Sequence, residues 1–226
     1  MNNTKYNPKI HHRRSIRLKG YDYSQAGLYF VTICCLEKLC IFGDVKNGQM
    51  ILNLYGQIAH EEWQRTEIIR NNCVLHEFII MPNHIHGIID ILFKKVDHKN
   101  DSREIGKFES PSQTIGSIIR GFKIATIKKI KEKISRTGEL QFARDSRIET
   151  SSGDTKLTPD FPNDTRSGEL QFAPTGLTEI IKELNYKIWQ RNYYEIIIRN
   201  EQSYHNISKY ILDNPSKWHQ NKSKYK

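Results

Sequence analysis

Residues 73–92 read CVLHEFIIMPNHIHGIIDIL. The two halves of this stretch, residues 73–81 and 84–92, are rich in β-branched and other apolar side chains, which predicts two strands. Only Pro82–Asn83 separates the halves, and this pair is typical of a tight connection. The stretch therefore predicts an antiparallel hairpin, around which the rest of the chain can be arranged.

The second predicted strand has two different faces, because side chains alternate across a strand. His84 and His86 share one face, whereas Ile85, Ile89 and Ile91 share the other, which predicts the core side. At a rise of about 3.4 Å per residue, the histidines lie about 6.8 Å apart along the strand. Their rings could converge on one divalent ion and leave open positions for a phosphate. Two ordinary half-exposed histidines are the alternative, and the spacing alone leaves both open.

The flanking sequence predicts further strands and helices around this hairpin. Residues 28–36 are β-branched and aromatic and predict a strand, and the turn signal KNGQ predicts a short hairpin between Gly43 and Met50. The remaining predicted elements are a helix over 53–70 capped by Asn53, a helix over 113–134, strands over 187–189 and 193–199, and a helix over 201–213 that ends before Pro215. This order predicts an α+β fold of the ferredoxin-like (RRM-like) type, an antiparallel sheet with helices packed on it.

The length of 226 residues predicts a single domain. Residues 94–112 are polar and predict a loop. Residues 135–175 are rich in Ser and Thr, and they contain GELQFA twice, at Gly138–Ala143 and Gly168–Ala173. We expect this segment to be a flexible insertion rather than a second domain.

The charge balance points to an anionic partner. The formal net charge is +10, and basic residues concentrate in the arm at 1–20, in 113–134 and in the tail at 216–226. No apolar run approaches the ~20 residues of a membrane span, and the basic N-terminus lacks the apolar segment of a secretory signal. The four cysteines contain no CxxC spacing, so free thiols and a cytoplasmic location are expected.

Two tyrosines of the predicted helix over 201–213 are candidate nucleophiles for a metal–phosphate site. Tyr210 and Asn214 are four residues apart, so on a continuous helix they share a face and Asn214 could supply an oxygen ligand. Tyr204 is six residues from Tyr210 and faces another way. Ordinary packing of either tyrosine against the core is the alternative.

Four collinear motifs carry a resemblance to a known family. They are RLKGYDYSQAGLYFVTICC (Arg17–Cys35), MPNHIHGII (Met81–Ile89), IIRGFK (Ile118–Lys123) and WQRNYYEIIIRN…YILDNPSKW (Trp189–Trp218). In these motifs the chain resembles the REP-associated tyrosine transposases, which are HUH-type transposases of the single-strand class. The resemblance covers nearly the whole chain outside 135–175.

The resemblance implies an HUH endonuclease fold and a transposase that cleaves and joins single-stranded DNA through a covalent 5′-phosphotyrosine. It implies Tyr210 as the nucleophile and a divalent metal, Mg or Mn, at His84, His86 and Asn214. The implied partner is single-stranded or hairpin DNA of the REP type, which would associate the protein with the nucleoid. Monomer and homodimer both stay open.

Basic residues are expected to contact the DNA backbone. Those expected to do so are Arg13, Arg14, Arg17, Lys19, Arg120, Lys123, Lys128 and Arg199. One departure from the family pattern is Ile196, where many members carry a histidine after the glutamate of YYE. A non-catalytic or domesticated DNA- or RNA-binding protein of the same fold is therefore the alternative function.

Overall fold

A four-stranded antiparallel sheet forms the centre of the fold. The structure is a computed structural model, and it describes residues 21–93, 114–148 and 175–221. The strands are β1 (Gly27–Cys34), β2 (Gly43–Lys46), β3 (Gln49–Leu52), β4 (Cys73–Met81), β5 (His84–Ile91) and β6 (Tyr194–Ile198). The sheet has the order β4-β5-β1-β6, while β2 and β3 form a separate hairpin.

Helices cover both faces of this sheet. They are α1 (Leu54–Ile69), α2 (Ile115–Ile148), α3 (Thr175–Glu183), α4 (Glu201–Leu212) and α5 (Asn214–Asn221). Side chains of α1 and α2 pack with those of β1 and β5 in the main core, whereas Ile211 of α4 packs on the opposite face. The sequence β1-α1-β4-β5-α2-β6 with this strand order is the ferredoxin-like topology, which confirms the predicted α+β fold.

The predicted hairpin has the register that its alternation requires. Ile85, Ile89 and Ile91 are fully buried in the main core, so the assignment of the two faces of β5 is confirmed. Gly87 lies on the same face, where a Cβ atom would come within 2.6 Å of the Trp63 indole. Only a residue without a side chain fits under Trp63, so the indole can pack directly against the backbone of β5.

Local signals in the sequence account for the start of α1 and for the smaller hairpin. The Asn53 side chain accepts a hydrogen bond of 3.0 Å from the Gly56 N–H, which satisfies one of the unpaired donors of the first turn. Asn47 and Gly48 adopt positive φ angles between β2 and β3, as a two-residue hairpin turn requires.

The predicted strand over 187–189 is wrong. Trp189 forms an isolated bridge with Cys35, and the segment before it turns at Asn185 and Tyr186, which have positive φ angles. After this tight turn, the extended segment is too short to form the successive hydrogen bonds of a β-strand. The preceding helix α3 was not predicted, although its apolar side chains have helical spacing.

The region around Pro215 is more helical than predicted. Helix α4 ends at Leu212, but α5 begins at Asn214 and includes Pro215 as its second residue. Proline is tolerated there, because the first N–H groups of a helix have no partner within it. Tyr210 and Asn214 therefore lie on two consecutive helices rather than on one.

Helix α2 runs to Ile148, beyond the predicted end at residue 134. It thus continues into the segment expected to be a flexible insertion and includes the first GELQFA copy at Gly138–Ala143. The second copy and the predicted loop over 94–112 lie outside the described residues. The prediction of a single domain stays a prediction.

All four cysteines are free, in agreement with the sequence prediction. Cys35 is buried in the main core, whereas Cys34 faces the other side of the sheet beside His84. Across residues 21–93, 114–148 and 175–221, no helix combines the length and apolar character needed to cross a membrane.

Candidate active site

The two histidines lie side by side on the sheet face opposite the main core. Their ring centroids are 4.5 Å apart, and in register Thr32 of β1 pairs with His86 and Cys34 with His84. His86 is only 5% exposed. The central strands therefore supply two adjacent imidazoles at a rigid position of the sheet.

Burial keeps both imidazoles in the neutral form. It lowers the pKa of His84 to about 4 and that of His86 well below its ordinary value. His84 Nδ1 lies 2.7 Å from Asn83 Oδ1, and His86 Nδ1 lies 2.8 Å from Thr32 Oγ1. When Nδ1 donates to these oxygens, the lone pair of each histidine is on Nε2.

Helix α4 brings Tyr210 to these histidines. The Tyr210 hydroxyl lies 3.2 Å from His86 Nε2, and its ring packs edge-on against Phe30 and His86. Tyr210 as a residue is still 44% exposed, so it borders solvent. The structure thus places a phenol oxygen beside the nitrogen that a metal ion would use.

Tyr204, the alternative nucleophile, lies elsewhere. Its hydroxyl donates a hydrogen bond of 2.9 Å to Glu77 and lies 3.1 Å from His76 Nδ1. Burial and the neighbouring Glu77 carboxylate raise the pKa of Tyr204, which disfavours the phenolate that an attack requires. Tyr210 is therefore the better placed of the two tyrosines.

Glu77 was missed by the sequence analysis because its partners on α4 lie 127 and 131 residues further along the chain. The β4–β5 register shifts between Leu75 and Phe78, so two residues of β4 stand opposite one residue of β5. Glu77 lies with Ile79 and Met81 on the face of the histidines, and the bulge brings His76 to the same side, where it contacts Tyr204 of α4. Glu77 accepts hydrogen bonds from Tyr204 and, at 3.1 Å, from the Ser208 hydroxyl. One carboxylate thus holds two successive turns of the helix that carries Tyr210.

We expect Glu77→Ala to lower the free energy of unfolding by about 1–3 kcal/mol, because two α4 hydroxyls lose their acceptor. Burial alone would raise the pKa of Glu77, but its hydrogen bonds outweigh burial and lower it. The contribution is thus present above the ordinary pKa of about 4.3 and is lost as the pH falls through the folded-state value. Urea denaturation at neutral and acidic pH measures both effects. Exposed Glu61→Ala is the control, and an equal loss there would contradict the assignment.

The predicted DNA-binding residues fall into different regions. Arg13, Arg14, Arg17 and Lys19 lie outside the described residues. Arg120 and Lys128 are exposed on α2, which packs on the face of the sheet away from the histidines.

Two further predicted contacts lie next to β6. Lys123 donates to the carbonyls of Gln190 and Asn192 at 2.8 and 3.0 Å, which fixes the loop before this strand. Burial lowers the pKa of Lys123 to about 8. Arg199 is exposed at the other end of β6.

The donor set fits a weakly held divalent ion. Two neutral imidazoles with lone pairs on Nε2 supply nitrogen ligands and leave positions open for water or phosphate. Within the part of the chain that the structure describes, no group of three or more His, Cys, Asp or Glu side chains could complete the shell. Asn214 is buried, at 6% exposure, at the start of α5. Its role as an oxygen ligand stays a prediction.

Comparison with models of known protein families gives no match. A Haemophilus influenzae protein is 37% identical over 221 residues, which cover 96% of each chain. The chain belongs to the same family as this protein. The family membership covers both the sheet and the tyrosine helix, but the relative is described only as uncharacterized and brings no activity with it.

Two solved structures of transposases are more distant. One is a REP-associated tyrosine transposase bound to a REP hairpin, with 13% identity, a TM-score of 0.44 and coverage of 90% of this chain and 74% of that one. The other, from Deinococcus radiodurans, is provisionally described as a transposase and has 10% identity, a TM-score of 0.37 and coverage of 87% and 95%. Both TM-scores are below 0.5, so neither structure assigns a role to a residue of this chain.

Proposed function

We propose that the chain is a tyrosine transposase that cleaves and rejoins single-stranded or hairpin DNA through a covalent phosphotyrosine. The observation that carries the proposal is the position of the Tyr210 hydroxyl, 3.2 Å from Nε2 of His86 and next to His84. The phenol hydroxyl of a helix residue and two neutral imidazoles of the central sheet meet there. The family resemblance of the motifs around these three residues points in the same direction.

The chemistry assigned to Tyr210 is a transesterification at phosphorus. Its oxygen forms a bond to the phosphorus of a DNA phosphodiester, and the bond from phosphorus to the 3′ oxygen breaks. The phenol loses its proton, and the departing 3′ oxygen gains one. A 3′ hydroxyl can later reverse these changes and rejoin a strand, so no nucleotide cofactor is consumed.

The residues proposed to hold a divalent ion, Mg or Mn, are His84 and His86 together with Asn214. When bound, the ion would neutralise charge on the phosphate oxygens. The chain itself orients the two imidazoles through Thr32 and Asn83, and it fixes the Tyr210 ring through Phe30. The site is therefore pre-organised around the position of the phosphate.

A non-catalytic nucleic-acid-binding protein is the second candidate function. One observation favours it: Ile196 takes the place of a histidine found in many members of the resembling family. In register Ile196 pairs with Phe30, so it lies on the same sheet face as His86. The basic character of the chain serves binding in either case.

Covalent capture of DNA separates these two functions. Wild-type protein is incubated with a single-stranded hairpin oligonucleotide labelled on the 3′ side of the cleavage position, in the presence of Mg²⁺ or Mn²⁺, and analysed by denaturing electrophoresis. We expect a labelled protein band that disappears when EDTA is present from the start. Salt-sensitive DNA binding without any covalent band, over a panel of hairpins, would replace the proposed transposase with the binding protein.

A further inference from the structure

A group of exposed apolar side chains lies beside the candidate active site on the same face of the sheet. Tyr194 is 52% exposed and Ile196 is 56% exposed, although both belong to a strand of the central sheet. In register Tyr194 pairs with Thr32, and Thr32 pairs with His86. Tyr194, Thr32 and His86 thus form one row across β6, β1 and β5. At about 4.8 Å between strands, Tyr194 lies about 10 Å from His86.

Tyr194 differs in exposure from the other aromatic residues of this part of the sequence. Trp218 is 7% exposed and packs near His84, and Tyr193 packs against the main core. Tyr194 points away from that core and toward solvent. An aromatic ring left exposed next to an aliphatic side chain at the edge of a sheet offers a flat apolar surface.

Charged groups lie near this surface. Arg191 and Arg199 are exposed at the two ends of β6, and Lys209 is exposed next to Tyr210 on α4. A cavity of about 360 Å³ adjoins Ile196, and its wall includes Glu195, Arg199, Asn200 and Ser203. Two acids lie near this end of the strand, Glu195 in the cavity wall and the exposed Glu201, and the three cations outnumber them. A flat apolar surface with cations at its border matches a nucleobase with its attached phosphates.

We infer that Tyr194 and Ile196 form a stacking platform for an unpaired base of the DNA strand whose phosphate is attacked by Tyr210. This inference rests on the proposed function, and it assigns the strand a path from the histidines across β6 toward Arg199. Stacking on an aromatic ring tolerates any base, because every base has a π face. The platform therefore selects unpaired over duplex DNA rather than a particular sequence.

Binding of two probes tests the platform. One is a short fluorescent oligothymidylate, and the other is an abasic strand of equal length that keeps the phosphates and lacks the bases. We expect Tyr194→Ala to weaken oligothymidylate binding about tenfold and to leave binding of the abasic strand unchanged. Tyr194→Phe should bind like the wild type. Phe93→Ala is the matched control, because Phe93 is also exposed but lies beyond the far end of β5.

Three results would overturn the inference. Equal effects of Tyr194→Ala on both probes, or no effect on either, would mean that no base stacks there. A shift from dimer to monomer in Tyr194→Ala, measured by light scattering, would make the surface an interface between two copies of this chain. The covalent capture assay reports separately on the proposed function. If a covalent band forms but Tyr194→Ala does not change oligothymidylate binding, the platform alone is rejected. If Tyr194→Ala weakens oligothymidylate binding but no covalent band forms, the transposase function alone is rejected.

Discussion

Replacement of Tyr210 by Phe should abolish the covalent protein–DNA band, with a loss of at least about 1,000-fold, because the attacking oxygen is removed outright. The ring contacts with Phe30 and His86 remain in this variant, so its free energy of unfolding should change by about 1 kcal/mol or less. Denaturing electrophoresis measures the band, and urea denaturation measures the stability.

Tyr204→Phe is the matched control for this experiment, since the same oxygen is removed from the same helix. Its hydroxyl bonds to Glu77 and lies beside His76, away from His84 and His86, so the covalent band should persist. The reverse pattern, a band in Tyr210→Phe and none in Tyr204→Phe, would transfer the nucleophile to Tyr204. Loss of the band in both variants would indicate that α4 must be held in place by Glu77 for any reaction to occur.

His86→Ala should lower the rate of covalent capture about 100-fold or more and should weaken the binding of Mn²⁺. The imidazole is buried, neutral and oriented by Thr32, so its removal takes away one of the two nitrogen ligands of the proposed site. Isothermal titration calorimetry with Mn²⁺ measures the metal site without DNA, and the capture assay measures the reaction.

His205→Ala is the control for the histidine variant, because His205 is exposed on α4 and pairs with Glu201. It should bind Mn²⁺ and form the band like the wild type. If His86→Ala bound Mn²⁺ as tightly as the wild type while losing the band, the histidine would act on Tyr210 and not on an ion. That outcome would remove the metal from the proposed site and keep the nucleophile.

The faces of the hairpin strand were predictable from the sequence, because alternation depends only on local geometry. His84, His86 and Ile85 therefore lie where the pattern placed them. Asn53 was likewise predictable as a cap, since its hydrogen bond spans three residues. The ferredoxin-like topology followed from the order of elements and from the short connection at Pro82–Asn83.

The meeting of Tyr210 with His86 was not predictable from spacing, since 124 residues separate the two side chains. Their contact depends on how α4 docks, and α4 is held partly by Glu77, a carboxylate on a strand that is far from α4 along the chain. A contact between residues so far apart in the chain leaves no periodic signal in a single sequence. The same limit applies to Arg120 and Lys128, whose charge was evident but whose side of the sheet was not.

The contact between Gly87 and Trp63 has a consequence for how mutants of this chain are interpreted. A substitution at residue 87 must either displace the indole or lift β5 from the core, and the strand carries His86 with it. Variants of Trp63, which lies on α1 across the sheet from Tyr210, would act on the same backbone. Loss of activity in a variant of either residue therefore does not show that the residue contacts DNA. The same strand β5 packs in the core and carries His86 of the candidate active site.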